Sequence, residues 1–381
     1  MTRPRPLDDE RVQRLLARAA ADVDQGPLPS CQLVIARDGE VVVEAAFGDA
    51  TVTDRYLLFS VTKALTAASV WQAIGDGLLA PEMRVGELVP AFTGGGREAV
   101  TVEHLLTHAA GFPNAPMRPV QGADPEQRNA RFATWRLDWE PGSRMTYHPT
   151  SAHWVLADLI ERVRGADHRE VALTRVIEPL GLRHLRLGGE GSRGDDVRTL
   201  VHIEAHGPEG ITVPADTVFP PEQLLQYNEL PNREAGSPGG GAVSTARDVA
   251  LLYQAFLHNP DGLFDPEVLA DGTGRIRSTL IDPWFGVACN RTLGLTVGGD
   301  DGNAVLRQLG RATSPRAFGA PGVGGQIGWA DPETGLSFCY LTNGLASDPA
   351  VSFLRSADLS TLAAKTVLPV TATSMRQDRP P

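Results

Sequence analysis

Apolar residues change their spacing along the chain in a way that orders its elements. Val12, Leu15, Leu16 and Ala19 recur on one helical face behind Asp8 and Asp9, which predicts a capped amphipathic helix ending near Val23. Two apolar runs follow, Cys31–Ala36 and Val41–Phe47. The Asp38-Gly39 pair between them predicts a β-hairpin. Val61–Leu79 is apolar and alanine-rich and closes on Gly75 and Gly77, so it reads as a largely buried helix with Ser60 at its start. From residue 81 to 238 the pattern is helical pieces and Gly/Pro loops, with Ser151–Arg164 the clearest helix. Residues 188–238 are rich in Gly, Pro and charge and have no period that assigns them. Gly239–Ala246 opens another helix, Arg247–His258, with Ser244 or Thr245 as its N-cap. Strand-like runs return at Phe285–Asn290, Leu293–Val297, Gly325–Ala330 and Leu336–Thr342, the last two flanking the turn residues Asp331–Gly335. Asp348–Val367 reads as a closing helix. The order is helix, hairpin, helical stretch, strands, helix. It predicts an α+β fold in which residues 1–74 and 239–381 build a sheet region and residues 75–238 form an inserted helical region.

Composition narrows the class. The chain has 381 residues, 42% hydrophobic and 21% charged, as expected of a globular enzyme with a sizeable core. A net charge of −11 argues against a nucleic-acid partner, and the arginines between Arg183 and Arg198 read as a solvated surface stretch. No apolar region follows Arg3 and Arg5, and no run approaches the ~20 apolar residues of a membrane helix. The expectation is a cytoplasmic protein with no membrane partner. Cys31, Cys289 and Cys339 are odd in number and widely spaced, which fits small core residues in predicted strands rather than a disulfide framework or a zinc set. Lys63 and Lys365 are the only lysines among 35 basic residues, so each invites a question.

Lys63 stands three residues after Ser60. On a helix, positions i and i+3 share a face. A serine hydroxyl needs a neighbouring base to become a nucleophile. Lysine serves when burial lowers its pKa, and arginine effectively does not. Ser60-Val61-Thr62-Lys63 is thus the spacing a Ser–Lys pair requires.

The surrounding residues Leu58–Ala68 resemble the nucleophile segment of the class C β-lactamases and family VIII carboxylesterases, within the serine β-lactamase/penicillin-binding-protein superfamily. Val102–Pro113, Pro141–Tyr147 and Gly239–Asp248 resemble further hallmarks of that family, in the same order and spacing, and the resemblance spans roughly residues 10 to 365. It implies a β-lactamase/transpeptidase-like antiparallel sheet flanked by helices. It also implies Ser60 as acylated nucleophile, with Lys63 and Tyr147 sharing its proton. The backbone N–H groups of Val323 and Ser60 would form the oxyanion hole. Gly322 and Gly324 would let backbone approach the ligand.

The chain departs from the family pattern twice. Pro149 stands where the Tyr-x-Asn motif has its asparagine, leaving His148 as a substrate-side candidate against the plainer reading of a solvent-facing histidine. Ala320 stands where the family places a cation or imidazole on an inner strand. That loss implies a neutral acyl substrate and weak β-lactam turnover. His104 and His108 have metal-like spacing but lack the His-Glu-x-x-His order, so no metal is expected, and no cofactor. Trp284, Trp329, Tyr227 and Phe112 are candidates for lining a cleft or for the core. The expected function is a serine hydrolase, a carboxylesterase or amidase on a small acyl substrate. An acyltransferase passing the acyl group to an alcohol or amine, and a non-catalytic binding member of the fold, remain alternatives. Oligomeric state is left open.

Overall fold

The structure is a computed structural model and describes residues 7–207 and 219–367. Part of the unassigned stretch 188–238, residues 208–218, lies outside the described residues. The centre is a six-stranded antiparallel sheet. Strands β1 (Ser30–Arg37), β2 (Glu40–Gly48), β3 (Thr296–Val297), β4 (Phe318–Pro321), β5 (Ile327–Asp331) and β6 (Leu336–Thr342) lie in the order β2-β1-β6-β5-β4-β3. The two ends of the chain meet where β1 pairs with β6, Leu33 opposite Tyr340 and Val34 opposite Cys339.

Both faces of this sheet are covered, and the period of two decides which residue meets which layer. Leu33, Ile35, Phe338 and Tyr340 point to one core cluster, shared with Leu15 and Ala19 of α1 (Asp9–Asp24) and with Leu359 and Ala363 of the last helix. Val34, Ala36, Cys339 and Leu341 point to the opposite cluster. There they join α2 (Thr62–Gly75), α3 (Ser151–Arg164) and α4 (Ala246–His258). The last helix, α5 (Pro349–Ala364), is capped by the Asp348 side chain on the N–H of Ala350. The predicted hairpin turn is built as read: Asp38 and Gly39 both take positive φ, 54° and 81°.

Several boundaries differ from the sequence reading. Helix α2 ends at Gly75, and residues 76–79 turn away through Gly77 at φ 71°. The runs Phe285–Asn290 and Leu293–Val297 contract to the short strands Val287–Ala288 and Thr296–Val297, and the chain between them is irregular. Cys289 therefore lies one residue beyond a strand, its thiol donating to the Ser278 carbonyl at 3.3 Å, whereas Cys31 and Cys339 sit in strands as expected. All three thiols are free and buried. Between 188 and 238, Val201–Ile203 pairs in parallel with Gly344–Ala346, and short helices occupy Pro221–Leu225 and Leu230–Glu234. In the arginine-rich stretch, Arg193 pairs with Glu234 and Arg198 with Asp49. Among the described residues no helix is long and apolar enough to cross a membrane.

A small antiparallel sheet positions the site. Tyr56–Leu57 and Arg186–Leu187 both pair with Ala242–Ser244. Leu58 N–H donates to the Ala242 carbonyl at 2.8 Å, which holds the residues before Ser60 beside the Gly239–Gly241 run.

Candidate functional site

Ser60 lies in a 3-10 turn, Phe59–Val61, that feeds directly into α2. Phe59 takes φ 45°, a left-handed value that a bulky side chain rarely adopts. Such strain persists only where the surroundings over-determine it. Here the ring packs edge-on against Tyr227 at 6.1 Å, and a Cβ on Gly240 would stand 3.6 Å from the Phe59 backbone. The turn lifts Ser60 out of the helix proper while keeping the i, i+3 relation to Lys63.

Lys63 is buried, and its three ammonium donors have three acceptors. They are Ser60 Oγ at 3.1 Å, the Pro149 carbonyl at 2.8 Å and the Gly239 carbonyl at 2.6 Å. Burial pushes the Lys63 amine below the usual lysine range, Tyr147 opposes that shift, and Arg291 adds to it. The departure at Pro149 is thereby explained in part: its backbone carbonyl contacts Lys63, which needs no side chain. Gly239 is required beside it, because a Cβ there would stand 2.7 Å from that same carbonyl oxygen.

The Tyr147 ring is surrounded on several sides. Lys63 Nζ is 5.0 Å from its centroid, the His108 ring 4.6 Å, the Trp284 ring 5.3 Å and the Arg291 guanidinium 5.6 Å. His148, by contrast, is neither solvent-facing nor on the substrate side. It is fully buried: Nε2 accepts from Phe112 N–H at 3.1 Å, and Nδ1 lies 2.6 Å from the Thr146 carbonyl. These partners fix the neutral tautomer protonated on Nδ1. Burial pushes its pKa down to about 4, with the Thr146 carbonyl opposing. Its backbone N–H donates to His108 Nδ1, so it braces the Tyr147 segment from behind.

On the other side of Ser60, Gly322 is in extended backbone and close to the Phe59–Val61 turn. A Cβ there would stand 2.9 Å from the Leu58 carbonyl and 3.3 Å from the Ser60 nitrogen. Val323 and Gly324 follow in a tight turn, with Gly324 at φ 82°, and the Gly322 N–H donates to the Gln326 carbonyl at 2.7 Å. Gln326 ties this turn to the frame by donating to the carbonyls of Leu57 and Thr342. Ser60, Gly322, Val323 and Gly324 thus line one opening, together with Tyr147. Ala320 does not: it lies in β4 and is buried in the core cluster.

Two cavities meet at Ser60. One is walled by Tyr147, Trp284, Phe285, Val287, Leu306 and Phe353 and contains Asp282, Arg291 and Arg307. The other is walled by Pro113–Met117, Pro149, Thr150, Tyr227 and Gly240, and none of its described lining residues is a carboxylate, lysine, arginine or histidine. Phe219, Leu224 and Val323 border both. Trp284 and Tyr227 therefore line cavities, while Phe112 and Trp329 are core residues. His104 and His108 form no pair: His104 Nδ1 accepts from Thr101 N–H, capping its own helix, and His108 faces Tyr147. Sequence reasoning missed Arg291, one arginine among many on a segment without periodicity, and the Gly239 carbonyl, which no side-chain motif encodes.

Comparison with known proteins places this arrangement. The model of the Beta-lactamase family matches residues 12–363. The esterase/beta-lactamase LipL of Mycobacterium tuberculosis is 29% identical over 319 residues, 76% of this chain and 70% of that protein. The esterase EstB of Burkholderia gladioli is 28% identical over 376 residues, 86% of this chain and 90% of that protein. A solved penicillin-binding protein homologue from Caulobacter crescentus superposes with a TM-score of 0.77 at 26% identity, covering 95% of this chain and 99% of that one.

Proposed function

The chain belongs to the Beta-lactamase family, and on that premise we propose that it is a serine hydrolase, a carboxylesterase or amidase that forms an acyl-enzyme on Ser60. The contact between Lys63 Nζ and Ser60 Oγ at 3.1 Å carries this reading, because it joins an amine that burial pushes below the usual lysine range to a hydroxyl at the mouth of two cavities. Ser60 Oγ attacks the acyl carbonyl while Lys63, with Tyr147 beside it, takes the hydroxyl proton. The carbonyl oxygen becomes an oxyanion held by the N–H groups of Ser60 and Val323. When the carbonyl re-forms, the bond to the leaving alcohol or amine breaks. That group departs with a proton from Tyr147, which Lys63 replaces with the one it took from Ser60, leaving the acyl ester on Ser60. Water then resolves the ester by the reverse proton path. No metal or cofactor enters the scheme. The names of LipL and EstB, both esterases, support the ester class.

A second reading is acyl transfer to an alcohol or amine. The observation favouring it is the pair of cavities meeting at Ser60, which would let an acceptor enter one arm while the acyl group occupies the other.

The test is the intact mass of the protein after brief mixing with 4-nitrophenyl butyrate, beside Ser60→Ala. The expected result is a gain of one butyryl group, or nitrophenol release, on the wild type alone. Adding an alcohol then separates the readings, since a transferase makes the new ester and a hydrolase makes the acid. Equal labelling or equal release by wild type and Ser60→Ala would sink the assignment.

A further inference from the structure

His108 stands where a helix end calls for glycine. The short helix Val102–Leu106 closes with two bonds: the Ala109 N–H donates to the His104 carbonyl at 2.8 Å, and the His108 N–H donates to the Leu105 carbonyl at 3.4 Å. That closure puts the residue between them in the left-handed region, which glycine enters at no steric cost. His108 takes φ 60° there and is 1% exposed. A side chain held in such backbone persists where its surroundings over-determine it, and such residues cluster at working sites.

This one residue grips both chain neighbours of Tyr147. The His108 carbonyl accepts the Thr146 N–H at 3.3 Å, and its Nδ1 accepts the His148 N–H at 3.1 Å. Between the two anchors, its ring lies 4.6 Å from the Tyr147 ring at a tilt of 38°. A glycine would keep the first bond and lose the second. The rings of His153 and His148 lie 5.6 and 5.9 Å from that of His108. Because Nδ1 accepts, the ring proton sits on Nε2. Burial pushes the His108 pKa well below the ordinary value, and Arg291, His153, His148 and Lys63 push it the same way, so Nδ1 keeps its lone pair for the His148 N–H.

Tyr147 lines the cavity that holds Trp284 and is absent from the lining of the uncharged one. The group that leaves needs a proton, so it lies on the Tyr147 side, and the acyl chain lies on the other. A displaced phenol fails leaving groups that need that proton and spares those that depart as anions.

We propose that His108 is the positioning residue of Tyr147, holding the phenol where it delivers its proton to the leaving group. The inference rests on the hydrolase reading above. His108 lines neither cavity, so it acts through Tyr147 and not on the substrate.

The test compares two esters of similar shape, phenyl butyrate and 4-nitrophenyl butyrate. Phenol, like a tyrosine side chain, keeps its proton at neutral pH, whereas 4-nitrophenol departs readily as the anion. The ratio of kcat/KM on the nitrophenyl ester to that on the phenyl ester should rise at least about fivefold in His108→Gly, with kcat carrying the loss. His108→Asn tolerates the left-handed backbone and keeps an acceptor oxygen near the place of Nδ1, so it should return the ratio to near the wild-type value. In a Tyr147→Phe background, His108→Gly should move the ratio no further. If the glycine variant does not fold, His108→Gln makes the same comparison, filling the space with its acceptor displaced toward Nε2. Equal losses on both esters, or a further shift without the phenol, would overturn the inference and leave the hydrolase reading intact. If no ester acylates Ser60, that reading fails, and hydrogen exchange over residues 145–149 decides the hold on Tyr147 separately. His108→Gly should then release the His148 amide and His108→Asn should keep it protected. Equal exchange in both variants and the wild type would overturn the inference.

Discussion

The two cavities flanking Ser60 share that proposed nucleophile and differ in almost everything else. The uncharged one is walled by Pro113–Met117, Pro149 and Tyr227, by segments that run close to the recognisable motifs. The charged one is walled by residues 282–308 and by the start of α5, with Arg291, Arg307 and Asp282 among apolar side chains. A cavity without ionised groups discriminates by shape, and discrimination by size alone is weak, about 1–3 kcal/mol per methylene. A cavity that holds charged groups can discriminate by charge as well as by shape. The two sides of Ser60 thus differ in charge as well as in shape.

The sharpest break of this comparison removes what both sides share. Lys63→Met deletes the proposed base while keeping an unbranched side chain of similar length, and should slow acylation by about a thousandfold on every ester. Stopped-flow nitrophenol release measures it. A loss confined to one class of leaving group would mean that Lys63 belongs to one cavity rather than to the shared centre.

Gly322→Ala should cost about tenfold to a hundredfold in kcat. The new Cβ would meet the Leu58 carbonyl at 2.9 Å and crowd the Ser60 nitrogen, shifting a donor of the proposed oxyanion hole. Gly322 is in extended backbone, so the effect comes from contact and not from φ. The KM should move little, and thermal unfolding should show a stable protein. A change in KM with kcat untouched would argue that Gly322 shapes a cavity wall instead.

A paired substitution sharpens the comparison directly. Ala115→Phe narrows the uncharged cavity, and Val287→Phe narrows the charged one. The first should reduce the preference for octanoyl over acetyl esters by about tenfold and leave the ranking of leaving groups alone; the second should do the reverse. If both variants penalise long acyl chains, the assignment of the two arms is wrong.

How much of this was legible beforehand follows the same division. The sheet was readable because its strands obey a period of two and its hairpin turn carries Asp38-Gly39. Ser60 and Lys63 were readable because an i, i+3 relation survives any detail of packing. The charged cavity was not. Its strands Val287–Ala288 and Thr296–Val297 are too short to impose a period, so Arg291 between them carried no signal. Ala320 leaves no cation on β4, and Arg291 lines the cavity from a segment whose place in space no spacing encodes. His148 was misjudged for a related reason. Exposure is decided by what packs around a residue, and Phe112 and Trp139, which pack on its ring, are distant in sequence or carry no pattern.

That buried histidine gives the last and smallest prediction, which concerns stability. His148 sits in the wall behind Tyr147, with Nδ1–H donated to Thr146 and Nε2 accepting from Phe112. Its pKa falls from 6.5 to about 4 because the charged ring would lack water. In the unfolded chain it takes a proton below about pH 6.5. Between those values the unfolded state binds more protons than the folded one, so stability rises with pH. The contribution is present above 6.5 and is lost as pH falls toward 4. His108 and His153, both pushed well below the ordinary value by burial, add in the same direction. From pH 7 to pH 5, the His148 share alone should remove about 2 kcal/mol. His148→Gln keeps a side-chain acceptor for Phe112 N–H but cannot titrate. It should be less stable than wild type at pH 7, with the gap closing by about that amount at pH 5 in urea unfolding. Parallel stability curves for the two proteins would show that His148 titrates alike in the folded and unfolded chain, and would overturn its reading as a ring held neutral by burial.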